Sequence, residues 1–123
     1  MKNSIVHVEE IGEITVIRVT ENKLYQNVVA PFREQMVSLV EKGKRNFIVN
    51  LSMVDLMNSS GLGVLILMWD RLNQEGGNLV ITGLCPLMEE LFNRMRLDTY
   101  FTITKTEEDA LGLIRGDKKI PAT

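Results

Sequence analysis

Between residues 46 and 82 the chain reads as strand, long apolar helix, strand, and this pattern restricts the fold more than any other feature. Asn46 to Leu51 (Asn-Phe-Ile-Val-Asn-Leu) is a short β-rich run, Ser60 to Gln74 repeats apolar residues in a helical pattern, and Leu79 to Thr82 is a second β-rich run. Two such strands joined through a helix form a parallel crossover, right-handed by strong default. Gly76-Gly77 closes the helix and lets the chain turn.

The flanking segments complete an α/β pattern. Ile5, Val6 and Val8, then Ile14, Val16, Ile17 and Val19, lie on either side of Ile11-Gly12-Glu13 and predict an opening antiparallel hairpin. Val28 to Glu41 has helical spacing (Val29, Phe32, Met36, Leu39, Val40) and stops at Gly43. Pro86 suits the first turn of a helix over Leu87 to Met95, which leads into a short strand at Phe101 to Ile103. A last helix starts at Thr106, with Glu107, Glu108 and Asp109 placed favourably against the positive end of its dipole, and runs to about Arg115. The expectation is a mixed sheet, an antiparallel hairpin followed by parallel β-α-β crossovers, with about four helices. Residues 1–115 read as one domain, and the polar tail 116–123 is expected to be mobile.

Composition excludes several functions. A chain of 123 residues with 45% hydrophobic and 24% charged content supports one core. A net charge of -2, with Lys42, Lys44 and Arg45 as the longest basic cluster, gives no footprint for nucleic acid. No apolar run approaches the roughly 20 residues needed to insert in a bilayer, so a cytoplasmic protein is expected. One cysteine, Cys85, and one histidine, His7, supply neither a metal cluster nor a credible catalytic set, so no cofactor, no metal and no enzymatic activity are expected. His7 reads as structural or solvent-facing. Met53 and Met57 read as gap fillers.

The informative stretch is Asp55-Leu56-Met57-Asn58-Ser59-Ser60-Gly61-Leu62-Gly63, between the third strand and the long helix. In open α/β sheets, ligands and partners bind at the carboxyl edge of the strands. Asn58, Ser59 and Ser60 all suit an N-cap, and Ser60 is the expected cap. Gly61-Leu62-Gly63 lacks the third glycine of a dinucleotide fingerprint, no Gly-Lys-Ser or Gly-Lys-Thr occurs, and neither serine has the glycine that a nucleophile elbow requires two places before it.

The whole arrangement resembles the anti-sigma factor antagonists, small STAS-domain proteins of bacteria. The likeness rests on Phe47-Ile48-Val49-Asn50-Leu51, the Asn-Ser-Ser-Gly-Leu-Gly motif at 58 to 63, the Gly76-Gly77 turn into Leu79-Val80-Ile81, and the Pro86 helix ending before Leu97. Family members look like Asp-Ser-Ser-Gly-Leu-Gly or Asp-Ser-Thr-Gly-Leu-Gly here, and the serine after the acidic residue is the one phosphorylated. The resemblance maps that role to Ser59, while the family's aspartate is replaced by Asn58. It implies a partner-switching protein that binds an anti-sigma factor serine kinase when unphosphorylated, is released on phosphorylation of Ser59, and is reset by a metal-dependent serine phosphatase. The alternative within the same fold is an unmodified scaffold subunit of a stress-sensing or transporter-associated complex.

Gly61 and Gly63 are expected to let the partner's backbone and nucleotide approach Ser59. On the long helix, Leu62, Leu65, Ile66, Trp69 and Leu72 are expected to face the sheet, leaving Val64, Leu67 and Met68 as surplus apolar surface for a partner. The expected contact surface is therefore Asn58, Ser59, Ser60, Gly61, Leu62, Gly63, Val64, Leu67 and Met68.

Overall fold

The computed structural model describes residues 5–116. The hairpin is present as β1 (Val6–Ile11) and β2 (Ile14–Val19), paired antiparallel with Ile11 opposite Ile14. Two further elements follow, β3 (Lys23–Leu24) and α1 (Gln26–Glu41), and then β4 (Asn46–Asn50), β5 (Leu56–Met57) and α2 (Ser59–Gln74). The chain continues through β6 (Asn78–Thr82), α3 (Pro86–Arg94), β7 (Thr102–Thr104) and α4 (Glu107–Arg115). Five strands form one sheet in the order β1-β2-β4-β6-β7, with every pair after the hairpin parallel. The mixed sheet and four helices agree with the sequence pattern among the described residues.

Alternation along the strands divides the core into two layers. Ile17 and Val19 of β2, Phe47 and Val49 of β4, and Leu79 and Ile81 of β6 face the layer that also holds Phe32, Met36, Leu65, Leu72 and Phe92 of α1, α2 and α3. The intervening Ile14, Val16, Ile48 and Val80 pack with Ala110 of α4 on the other side. The smaller layer needs only one short helix, and Gly116, with φ 71°, ends it in the left-handed conformation that glycine adopts without strain. Of the expected tail, 116–123, only Gly116 falls within the described residues.

The turn after α2 has a steric cause. Gly76 has φ 78°, and a Cβ on Gly77 would collide with the Arg45 carbonyl oxygen. Expected strand limits move by one residue: β7 spans Thr102–Thr104 rather than Phe101 to Ile103, because its ladder with β6 starts at Thr102, β6 begins at Asn78, and β4 ends at Asn50.

β3 and β5 have no counterpart in the periodicity of the sequence. They pair in parallel as a separate two-stranded sheet, Lys23 with Leu56 and Leu24 with Met57. This small ladder fixes the chain just before the motif.

β1 and β7 are the edges of the main sheet. β1 exposes His7, Glu9 and Glu10, and β7 spans only three residues.

Candidate functional site

The motif reaches the carboxyl edge of the sheet through a tightly bonded loop. After β4, Leu51 donates its N–H to the Thr82 carbonyl at 3.0 Å, and Val54 donates to the Leu51 carbonyl at 2.9 Å. The Ser52 N–H donates to Oδ1 of Asn50 at 2.8 Å. Asp55 then donates to the Asn22 carbonyl at 2.8 Å, and Asn58 to the Leu24 carbonyl at 3.2 Å. The backbone of 51–58 is thus tied to β6 at one end and to β3 at the other.

Asn58, extended at φ -91° and ψ -178°, is the N-cap of α2. Its Oδ1 accepts the Gly61 N–H at 3.1 Å, satisfying one of the orphan donors of the first turn. This corrects the expectation that Ser60 caps the helix: an amide oxygen one bond farther from the backbone than a hydroxyl is already in place at Asn58. Ser59 and Ser60 become the first two helical residues, Ser59 exposed and Ser60 half-buried. Neither hydroxyl makes a hydrogen bond among the described residues.

The remaining motif residues separate into two sets. Ser59, Gly63 and Leu67, four residues apart, form one exposed stripe along α2, with Leu67 47% exposed. Gly61 and Leu62 are buried, and so are Val64 and Met68, at 5% and 0% exposure. All four stand on the expected contact surface and all four are covered, contrary to that expectation; for Val64 and Met68 the cover is α1. These two share a core cluster with Phe32, Met36 and Val40 because α1 packs alongside α2 and covers that face. Conversely Ile66 and Trp69, expected to face the sheet, are only half-buried, and the Trp69 ring packs against Tyr100 at a tilt of 40°, with ring centroids 4.6 Å apart.

The two glycines have different reasons. A Cβ on Gly61 would stand 2.6 Å from Cγ of Met57 and 3.3 Å from the Leu24 carbonyl oxygen, so its smallness lets α2 close on the β3–β5 ladder. That is internal packing rather than room for a nucleotide. Gly63 opens to solvent: a methyl group added there would meet nothing within 4 Å, which leaves the surface beside Ser59 clear.

Exposed apolar residues gather at the same edge. Met53 of the loop is 59% exposed, Leu56 of β5 37%, Tyr25 at the start of α1 40%, and Leu87 of α3 54%. Met53 is thus a surface residue and not a gap filler, whereas Met57 is buried as expected. Sequence reasoning missed the group because its members come from four separate elements. Their one shared signal is position: each lies near the carboxyl end of a strand or at the start of a helix.

Cys85 is the N-cap residue of α3, half-buried, with Sγ 3.5 Å from the Val54 carbonyl oxygen. His7 is exposed on β1, its Nδ1 3.2 Å from a guanidinium nitrogen of Arg18. Among the described residues no group of side chains is placed to hold a metal ion, and no helix is long and apolar enough to cross a membrane.

One polar cluster lies behind this edge. Arg18 donates through Nε and an amino nitrogen to both oxygens of Glu107, at 2.7 and 2.8 Å, and through the other to Glu9 at 2.8 Å. Asn50 donates to Glu107 at 2.6 Å. The Arg18 guanidinium, and secondarily Asn50, hold the Glu107 carboxyl below its ordinary range against an opposing desolvation effect. The sequence pattern predicts for Glu107 only a favourable place at the start of α4.

Comparison with known proteins agrees with this arrangement. BtrV of Bordetella bronchiseptica, a candidate anti-sigma factor antagonist, is 30% identical over 76 residues, 62% of this chain and 66% of its own length; the chain thus matches just under two thirds of that relative. A candidate anti-sigma factor antagonist from Thermotoga maritima superposes with a TM-score of 0.82 at 20% identity, covering 89% of this chain and 94% of the other. The anti-sigma factor antagonist SpoIIAA in its unphosphorylated form gives 0.72 at 24% identity, covering 90% and 98%. The STAS domain model matches residues 6–110, from the first residue of β1 into α4, and so takes in the whole sheet and the motif loop. The chain belongs to the STAS domain family.

Proposed function

We propose that this protein is an anti-sigma factor antagonist, a partner-switching regulator whose Ser59 accepts phosphate from an anti-sigma factor serine kinase. The observation that carries the reading is the division of labour in the motif: Asn58 occupies the cap, so the Ser59 hydroxyl stands exposed and uncommitted at the helix N-terminus. The relative named above as a candidate antagonist supports the antagonist part of the reading.

In the transfer, Ser59 Oγ bonds to the γ-phosphorus of ATP while the bond to the bridging oxygen of ADP breaks. The hydroxyl proton leaves to a base on the kinase, which also supplies the magnesium nucleotide. This chain contributes an accessible hydroxyl, a rigid backbone, and a helix N-terminus that tolerates the added charge of about -1.5 to -2. SpoIIAA, of the same fold, has been solved in its phosphorylated form as well.

The exposed stripe Ser59, Gly63 and Leu67, with Met53 and Leu56 beside it, forms the partner surface in this reading. Phosphate within it must be desolvated against the partner, and each 1.4 kcal/mol lost weakens the complex about tenfold. A metal-dependent serine phosphatase restores the binding form. The protein acts in the cytoplasm and performs no chemistry on a substrate of its own.

The test is intact mass and phosphopeptide mapping after incubation with the serine kinase encoded near it and Mg-ATP. One added phosphate on Ser59, absent in Ser59→Ala, is expected. Modification at Ser60 would reassign the acceptor. If the parent stays unmodified and Ser59→Ala and Ser59→Asp bind partners equally, the phosphoswitch is wrong. The unmodified scaffold reading, favoured by the missing carboxylate at Asn58, then takes its place.

A further inference from the structure

The α4 face of the sheet ends in a row of polar side chains that the proposed switch does not use. At the carboxyl edge, His7, Arg18, Asn50, Thr82 and Thr104 are successive ladder partners across all five strands. Thr104 Oγ1 donates to either Thr82 Oγ1 at 3.1 Å or the Thr106 carbonyl at 2.9 Å. Glu107 closes the row from above by bonding both Arg18 and Asn50.

Asn50 differs from the others because it faces two ways. Its Nδ2 is committed to Glu107 at 2.6 Å, which fixes the orientation of the amide. That orientation turns Oδ1 toward the Ser52 N–H, 2.8 Å away, at the first bend of the loop that carries Met53 and leads into β5. A third element leaves room for the arrangement. Gly83, at φ 81°, lies where a Cβ would stand 3.1 Å from both Asn50 Oδ1 and Ser52 Cβ.

We infer that Glu107 is a positioning residue for the edge around Ser59: by orienting Asn50 it sets the Ser52–Asp55 loop and so governs how well a partner docks, without touching that partner. A carboxylate acceptor makes the bond to Asn50 the stronger of the two amide bonds, so it decides the rotamer and the Ser52 bond follows. A side chain on the far face of the sheet thereby controls a loop on its edge. The docking part rests on the proposed switch, whereas the loop part does not.

The experiment follows amide exchange of Ser52 in the full chain, alongside steady-state phosphorylation by the kinase that modifies the parent. Glu107→Ala is expected to speed exchange at Ser52 about tenfold, as for loss of a local bond, and to raise KM for the protein substrate severalfold with kcat unchanged. Glu107→Gln, which keeps an acceptor for Asn50, should return both toward the parent. Arg18→Met serves as the stability control, because it removes the ion pair while leaving the Glu107–Asn50 bond in place. It should lower the thermal midpoint with little effect on Ser52.

Unchanged Ser52 exchange in folded Glu107→Ala overturns the inference, as does equal acceleration in Arg18→Met. Faster exchange with an unchanged KM overturns its docking part. If Glu107→Ala fails to fold, Glu107→Leu decides instead: it fills the space but offers Asn50 no acceptor, should disturb Ser52 exchange as Glu107→Ala would, and overturns the inference if it does not. A parent chain that no kinase modifies is a failure of the switch alone, visible before any variant is made, and Ser52 exchange still judges the loop.

Discussion

Asn58 Oδ1 lies 3.1 Å from the Gly61 amide nitrogen, and this single bond separates the capping role from the two serines that follow. Asn58→Ala should therefore lower stability by about 1 kcal/mol, the ordinary cost of a lost cap. Asn58→Asp keeps the acceptor and adds a charge at the positive end of α2, so a gain of about 0.3–1 kcal/mol is expected. Urea titration of both variants measures the two signs. A loss of stability in Asn58→Asp would mean that the surroundings of Asn58 disfavour the carboxylate.

Leu67 and Met68 are adjacent in sequence and opposite in environment, 47% and 0% exposed. Met68→Ala should cost about 2–5 kcal/mol through the cavity it leaves. Leu67→Lys should stay within about 0.5 kcal/mol of the parent yet weaken partner binding. Thermal melts paired with a binding titration check both. Equal stability loss in the two variants would place Leu67 in the core as well.

The close approaches at Gly61 and Gly77 differ in what must yield. At Gly61 the nearest atom is the flexible Met57 side chain, so Gly61→Ala should cost about 1–3 kcal/mol of overpacking. At Gly77 it is the Arg45 carbonyl, part of the backbone, so Gly77→Ala should cost more. Chemical denaturation ranks the two, and the reverse order would show that the β3–β5 ladder is less forgiving than the turn into β6.

Glu107 gives stability a defined pH dependence. Its carboxyl is held below the ordinary value of 4.5 by Arg18 first and Asn50 second, so the folded chain binds that proton less readily than the unfolded chain. The contribution is complete above the unfolded value and disappears as pH falls through the lower, folded value. Comparing urea midpoints of the parent and Glu107→Gln from pH 7 to 3 should show the difference between them narrowing only at the acid end. A constant difference would mean that the carboxyl titrates alike in both states.

Periodicity carries most of the fold. The hairpin, the crossover through α2 and the Pro86 helix all announce themselves because each buries one continuous apolar pattern. Lys23–Leu24 and Leu56–Met57 cannot, since two residues have no period, and their partners stand 33 positions apart in the chain. The faces of α2 escape its own spacing for a related reason: a helix covered by both the sheet and α1 buries more than one stripe, and nothing in the helix says which side the neighbour takes. At the site, Asn58 and Ser59 are legible as residues with cap or acceptor chemistry, although the cap falls to Asn58 and not to the expected Ser60. The bonds from Arg18 and Asn50 to Glu107 span 89 and 57 positions, and only the fold brings them together.

The sheet's two borders have a colloidal consequence. β1 presents Glu9 and Glu10 along its length, and β7 offers three residues before Lys105 breaks the line. Neither provides the long, flat, uncharged template on which a strand from a second molecule could register. Concentrated solutions of the native chain should accordingly resist edge-to-edge growth into fibrils, and a variant that neutralised both glutamates of β1 would lose much of that protection.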